Sequence, residues 1–382
     1  MASKPEDSPI FCRHCGYNLH GLPQNVCPEC GKPFDPANRA TYAKNAGFPR
    51  RRAWMHRSVV LIVTFALLLS AGGLALWWPW HHDAAAMRMV QRCFGGHFET
   101  TTVGPPWLRG ALGRRGGFLF DRVVAIELTN RGAPAFKTSQ QTTVTDDDLA
   151  EIEGLSHLQT LELDNQPITD AGIAHLKNLN TLQKLYLIRT QVTDAGLSSL
   201  KDLTKLQVLA IDRARITDSG LANLRDLSDL NTLLLVDDTQ ITDAGLENLG
   251  NLRELRSLAL DGTKVAGAGL FYLKDLPKLT DISLSGTTTD AGLDHLKDLQ
   301  NLRALDLDGC QTNDNTLNYV QNLNELTWLS ILNTGVTDAG ALDHLKTLTA
   351  LKFLRVSGTK VTAAGMAALR QALPHCIVTD ED

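Results

Sequence analysis

Leu182-Gln-Lys-Leu185-Tyr-Leu187-Ile-Arg-Thr190-Gln-Val192-Thr-Asp-Ala-Gly-Leu197-Ser-Ser-Leu200-Lys-Asp-Leu203 decides how this chain folds. Copies of it begin at Leu158, Leu182, Leu206, Leu230, Leu255, Leu279, Leu302, Leu326 and Leu351, in steps of 23 to 25 residues. Self-similarity at such a period marks a solenoid, in which each unit buries its apolar faces only against its neighbours. The L-x-L core, as in Leu161-Glu-Leu163 and Leu305-Asp-Leu307, alternates as a strand does, apolar in and variable out. A buried Val or Ile follows the turn. Thr-Asp then reads as a helix N-cap pair, and L-x-x-L-x-x-L closes the coil with a short helical stretch. Stacked coils place their strands in one parallel sheet on a concave side, about 4.7–4.9 Å apart.

This pattern resembles the T-D-A-G-L leucine-rich-repeat proteins of bacteria and, more remotely, the cysteine-type repeats of eukaryotic F-box substrate receptors, over about residues 123–375. The resemblance implies an α/β leucine-rich-repeat solenoid: a curved parallel sheet with short convex helices. It implies little about function, because the motif consists of core and turn residues. No F-box-like helical segment precedes the repeats, so a ubiquitin-ligase role does not carry over. In many such repeats an Asn three places past the last strand leucine ties down loop backbone in the next coil. Thr190, Thr263, Thr287, Cys310, Thr334 and Thr359 hold that place here. His175, His295 and His344 share a helix-surface slot with no nucleophile or acid–base partner at the same spacing.

Solenoid ends need covers. Val123-Val-Ala-Ile126-Glu-Leu128 reads as the strand of a degenerate first coil, resumed at Val144 after an insertion. Residues 84–122 read as linker and N-terminal cap, with Phe98, Trp107, Phe118 and Phe120 as apolar anchors. At the other end Leu369, Leu373, Ile377 and Val378 are expected to finish the core, with Cys376 among them.

Net charge is −5, but residues 1–57 carry nine Lys/Arg against four Asp/Glu and the remainder carries −10. The two ends therefore suit different surroundings. Between them, Ser58 to Trp80 is uncharged for 23 residues. As a helix it measures about 34 Å against a hydrocarbon core of about 30 Å. Trp77, Trp78 and Trp80 sit at its far end, where indoles prefer the headgroup zone, and Arg50, Arg51, Arg52 and Arg57 crowd its near end. The positive-inside rule then puts the N-terminus in the cytoplasm and the repeats outside, as a single-pass membrane protein.

Cys12-Arg-His-Cys15-Gly and Cys27-Pro-Glu-Cys30-Gly are two copies of one knuckle. Facing each other, they supply four thiolates in a tetrahedral shell suited to one structural zinc ion. A disulfide pair conflicts with a reduced cytoplasmic setting, and a thioredoxin-like dithiol needs a βαβ context that residues 1–57 lack. The segment resembles the short zinc ribbon at the head of many bacterial membrane proteins, and in that resemblance Cys12, Cys15, Cys27 and Cys30 match the metal ligands. So few residues bury little core, so the metal is expected to supply most of the folding energy. Nucleic-acid binding is disfavoured for want of a basic groove with stacking aromatics.

The organisation expected is a zinc ribbon (1–40), a basic juxtamembrane linker (41–57), a transmembrane helix (58–80) and a linker with cap and degenerate repeat (81–157). Leucine-rich repeats (158–373) and a C-terminal cap and tail (374–382) complete it. A binding site should lie on the outward strand positions of the concave sheet. One apolar group there is Tyr186, Ile188, Val208, Leu234 and Val236; another is Trp328 and Phe353 with Leu332 beside them and Arg355 nearby. Asp212, Asp261, Asp281, Asp306 and Asp308 form an acidic strip between them, suited to a basic partner. The reading is a membrane-anchored, receptor-like scaffold that binds a protein partner, with no small-molecule substrate evident and no catalytic constellation. The alternatives are a transmembrane signalling protein with the ribbon as output, and, ranked lower, an enzyme with a site in 84–122.

Overall fold

The computed structural model describes residues 10–13, 18–20, 22, 24–28, 31–35, 37–38, 42–43, 83–89, 97–102, 121–128, 143–237, 240–286 and 288–380. The chain divides into two compact units, Met1–Leu74 and Ala75–Asp382. In the first, β1 (Phe11–Cys12) and β2 (Tyr42–Ala43) form a small antiparallel pair.

The second unit is built on a twelve-stranded sheet. Its strands are β3 (His97–Thr102), β4 (Asp121–Glu127), β5 (Thr160–Glu162), β6 (Lys184–Ile188), β7 (Val208–Asp212), β8 (Thr232–Val236), β9 (Ser257–Ala259), β10 (Asp281–Ser283), β11 (Ala304–Asp306), β12 (Trp328–Ser330), β13 (Phe353–Arg355) and β14 (Ile377–Thr379). From β4 to β14 every neighbour pair is parallel and in chain order, as a solenoid requires. The strand leucines stack in register, Leu161 beside Leu185, Leu209 and Leu233, each fully buried. One continuous apolar core runs from Ala86 to Val378.

After each strand from β5 to β13 the chain turns through one residue of positive φ. The series is Asn165, Arg189, Arg213, Asp237, Gly262, Gly286, Gly309, Asn333 and Gly358. Glycine and asparagine suit this conformation, whereas an arginine there costs about 1–2 kcal/mol.

On the helix side a Thr-Asp pair clasps coil to coil at six joints among the described residues. Thr169, Thr193, Thr217 and Thr242 sit in extended backbone, and each hydroxyl oxygen accepts the N–H two residues on, the N-cap role expected. The Asp does something else. Asp170 accepts the Thr193 N–H (2.8 Å) and hydroxyl (2.6 Å), Asp194 those of Thr217, and Asp218 those of Thr242. Asp146, Asp314 and Asp338 serve Thr169, Thr337 and Thr362 in the same way. The Gly of the motif makes room for this carboxylate: a Cβ on Gly220 would lie 2.2 Å from Asp194 Oδ1.

The expected ladder three places past the strand leucines takes a different form. Thr190, Thr263, Thr334 and Thr359 donate to the carbonyl of their own strand residue, Leu187, Leu260, Ile331 and Val356, and so close a local turn. Only for Cys310 is the bond to another coil, from Sγ to the Leu284 carbonyl at 3.2 Å. Thr287 lies outside the described residues. A short threonine reaches its own backbone, where a longer asparagine reaches across.

The N-terminal end is covered by a helix over 83–89 and by β3, which pairs antiparallel with β4. Ala86 and Met89 are fully buried in the repeat core, so residues 83–89 pack as part of the cap. Asp83 accepts the Val123 N–H (2.9 Å) and pairs with Arg122 at 3.5 Å, all of it buried. Phe98 packs against the core as expected, whereas Trp107, Phe118 and Phe120 lie outside the described residues. At the C-terminal end Leu369, Leu373, Cys376 and Val378 are buried, but Ile377 is 55 % exposed. Strand alternation forces this: with Val378 inward, Ile377 and Thr379 point out. Arg370 Nη2 donates to the Val378 carbonyl at 2.8 Å on this last strand.

The span expected at 58–80 lies outside the described residues. Among the described residues no helix is long and apolar enough to cross a membrane.

Candidate functional site

The strand registers line the outward side chains into columns across the sheet. Lys184, Val208 and Thr232 follow one another in the first, which ends with Trp328, Phe353 and Ile377. Trp328 and Phe353 are thus neighbours on adjacent strands, and Ile377, read from sequence as core, extends their column to the last strand. Phe353 is 47 % exposed and Trp328 half-buried. Leu332 is only 7 % exposed, so it is covered rather than presented. Arg355, one place along from Phe353, has its Nη1 at 4.0 Å from Asp308 Oδ2.

The other apolar group occupies β6 to β8. Tyr186, Ile188, Val208, Leu234 and Val236 are all half-buried, with Ala210 buried in register between Tyr186 and Leu234. Burial raises the Tyr186 phenol above its ordinary range, helped by Glu162 and Asp164 nearby. Ile188 and Val236 flank Asp212 in register. Asp212 Oδ1 is buried without a hydrogen bond and lies 3.8 Å from Arg213 Nε, which donates to Asp237 Oδ2 at 2.9 Å. Burial pushes the Asp212 carboxyl up; the Arg213 guanidinium opposes the rise.

Most of the acidic strip is tied into the sheet. Asp261 Oδ1 accepts the Ser283 hydroxyl and the Ser285 N–H (2.8 Å) of the next coil. Asp308 Oδ1 does the same for the Ser330 hydroxyl and the Leu332 N–H (2.7 Å). Asp306 Oδ1 accepts from Ser285 Oγ (3.0 Å) and the Asp308 N–H (2.9 Å). Burial raises its carboxyl above the usual range, with Asp308 and Asp261 adding to the rise and these hydrogen bonds opposing it. Asp281 accepts the Thr280 hydroxyl at 2.6 Å. These carboxylates order the sheet edge and present a fixed negative rim to whatever lies on it.

Each of the three helix-side histidines lies beside a polar group: His175 is 3.4 Å from Glu153, His295 3.4 Å from Asp298, and His344 3.1 Å from Gln321. No nucleophile joins them in these contacts.

In the first unit the described residues flanking the two cysteine motifs pair alike. Phe11 bridges to Asn18 and Val26 to Pro33, the same pairing shifted by fifteen residues. The Leu19 N–H donates to the Ile10 carbonyl (2.8 Å), as Phe34 does to Asn25 (2.9 Å). Gly31, at φ +69, donates its N–H to the Cys27 carbonyl at 2.9 Å, closing the knuckle turn. Cys12 and Cys27 are buried in one cluster with Leu19, Phe34 and Tyr42. Cys15 and Cys30 lie outside the described residues, and among the described residues no group of three metal-ligating side chains assembles.

Residues 135–294 match a family model described as a leucine-rich repeat region. The second unit is accordingly an α/β leucine-rich-repeat solenoid with a parallel sheet and short helices. No curated protein matches the chain. Among solved structures it is similar to an internalin (inlF) of Listeria monocytogenes, at 19 % identity and a TM-score of 0.45 over 71 % of this chain and 86 % of that one. Internalin C2 (inlC2) of the same organism gives 26 % identity and 0.37 over 62 % and 84 %. A chain of the mouse RP105/MD-1 complex gives 17 % and 0.45 over 56 % of this chain and 36 % of that one.

Proposed function

We propose that this chain is a membrane-anchored, receptor-like scaffold that captures a protein partner on the open face of its repeat sheet. The observation that carries the reading is the Trp328–Phe353–Ile377 column, in which two of three large apolar side chains stay about half exposed. Exposed aromatic and aliphatic anchors of this kind concentrate binding energy, and the neighbouring carboxylates favour a partner with a basic surface. The span at 58–80 and the arginines before it support a single-pass anchor with the repeats outside the cytoplasm.

The ribbon is proposed to hold one structural zinc ion through Cys12, Cys15, Cys27 and Cys30. The twin knuckles and the shared burial of Cys12 and Cys27 fit such a site. Zinc would supply folding energy there, not catalysis.

The test is capture of envelope proteins by the full-length chain and by Trp328→Ala/Phe353→Ala, with thermal unfolding as the control. The reading expects the double variant to fold normally and lose a partner that the parent retains. Equal capture by both removes this column as the binding site. Protease shaving of intact cells checks the topology: the repeats should be digested and the ribbon spared.

A further inference from the structure

Among the described residues the Thr–Asp clasp is broken on both sides of one coil. In the coil of β9 the motif becomes Val265-Ala266-Gly267-Ala268-Gly269-Leu270, so the hydroxyl and the carboxylate are both missing. Asp243 still accepts the N–H groups of Gly267 (3.0 Å) and Gly269 (2.9 Å), but residue 266 brings it no hydroxyl. On the far side Thr289 meets a glycine where Thr193, Thr217 and Thr242 each meet a carboxylate. Gly267 adopts φ +114, and a Cβ on Gly292 would lie 2.0 Å from the Ala266 carbonyl oxygen. Backbone here fills the space that an Asp side chain fills elsewhere.

On the helix side the joint to the next coil is bridged by rings, with His295 edge-on to Phe271 at 5.4 Å and Lys274 Nζ 3.9 Å above that ring. Phe271 and Tyr272 remain 44 % and 39 % exposed. A ring contact is a looser tie than two hydrogen bonds to a carboxylate.

We propose that the joint between the coils of β9 and β10 is a built-in hinge that divides the solenoid into two cooperatively folded blocks. Solenoid stability is a sum of coil terms and nearest-neighbour interface terms, so a single weak interface localises opening. The hinge falls between the two apolar groups of the sheet face. Tyr186, Leu234 and Val236 lie before it; Trp328, Phe353 and Ile377 lie after it. Bending there changes the separation of the groups and disturbs neither, so a partner that touches both selects one hinge state.

Native-state hydrogen exchange on the full-length chain tests this. Amides over 265–295 should exchange about tenfold faster than those over 193–221, where the clasps are intact. In Asp194→Ala, removing an intact clasp should create a second fast patch over 215–224 and leave the first as it was. Equal exchange at the two joints in the parent overturns the hinge, and so does the absence of a second patch in Asp194→Ala.

Discussion

Asp194 holds both the N–H and the hydroxyl of Thr217, one full coil further along the chain, at 2.8 and 2.6 Å. Each such clasp joins neighbouring coils on the side away from the sheet, where isolated parallel bridges such as Thr193–Arg215 are the backbone connection beside it. Replacing Asp194 with Ala leaves the Thr217 N–H and hydroxyl without their charged acceptor. The expected cost is about 2–3 kcal/mol, read as a lower urea midpoint. A change below about 0.5 kcal/mol would mean that water replaces the carboxylate without loss.

Gly196→Ala should destabilise the fold even though alanine is the better helix former by about 1 kcal/mol. A Cβ there would lie 2.5 Å from Asp170 Oδ1 and 2.7 Å from Val192 Cγ1. The carboxylate is held by Thr193 and the valine by the core, so neither yields freely. Overpacking of this kind costs about 1–3 kcal/mol, and a rise in the unfolding midpoint would contradict it.

How much of this could be read from sequence depended on how far each interaction reaches. The strand leucines, the N-cap threonines and the Trp328–Phe353 adjacency follow from period and alternation, which are local or strictly repeated. The second partner of each Asp lies 23 or 24 residues away in the next coil, so a motif read within one coil shows only a helix cap. One signal was present: an Asp in nearly every coil at a place that needs no charge, two residues before a Gly in most of them. Ile377 was misplaced because a run of apolar residues at a chain end looks like core until alternation assigns a face. The burial of Leu332 and the internal bonds of Asp261 and Asp308 depend on serines of neighbouring coils, which no single repeat reveals.

Asp306 offers a test by pH. Burial raises its folded-state carboxyl above the unfolded value near ~3.9, so between the two the native state binds more protons than the unfolded state. Its contribution to stability therefore falls as pH rises through that window. Asp306→Asn keeps an acceptor for Ser285 and the Asp308 N–H while removing the charge. Urea midpoints should show the variant more stable than the parent above the window and equal to it below; an identical pH slope in the two proteins would contradict this.

The ribbon is predicted to carry one zinc ion per chain, measurable by elemental analysis of purified protein. Cys12→Ser and Cys27→Ser should each abolish it while the unfolding midpoint of the repeats stays unchanged. Full-length protein purified without chelators and free of zinc would exclude the site.

Site-specific photo-crosslinking in living cells tests the account most directly. A crosslinking residue placed at Phe353, on the sheet face, should trap a discrete protein adduct, and one at Ser198, exposed on the helix side, should trap none. An adduct formed from Ser198 and none from Phe353 would contradict capture of a partner on the sheet face.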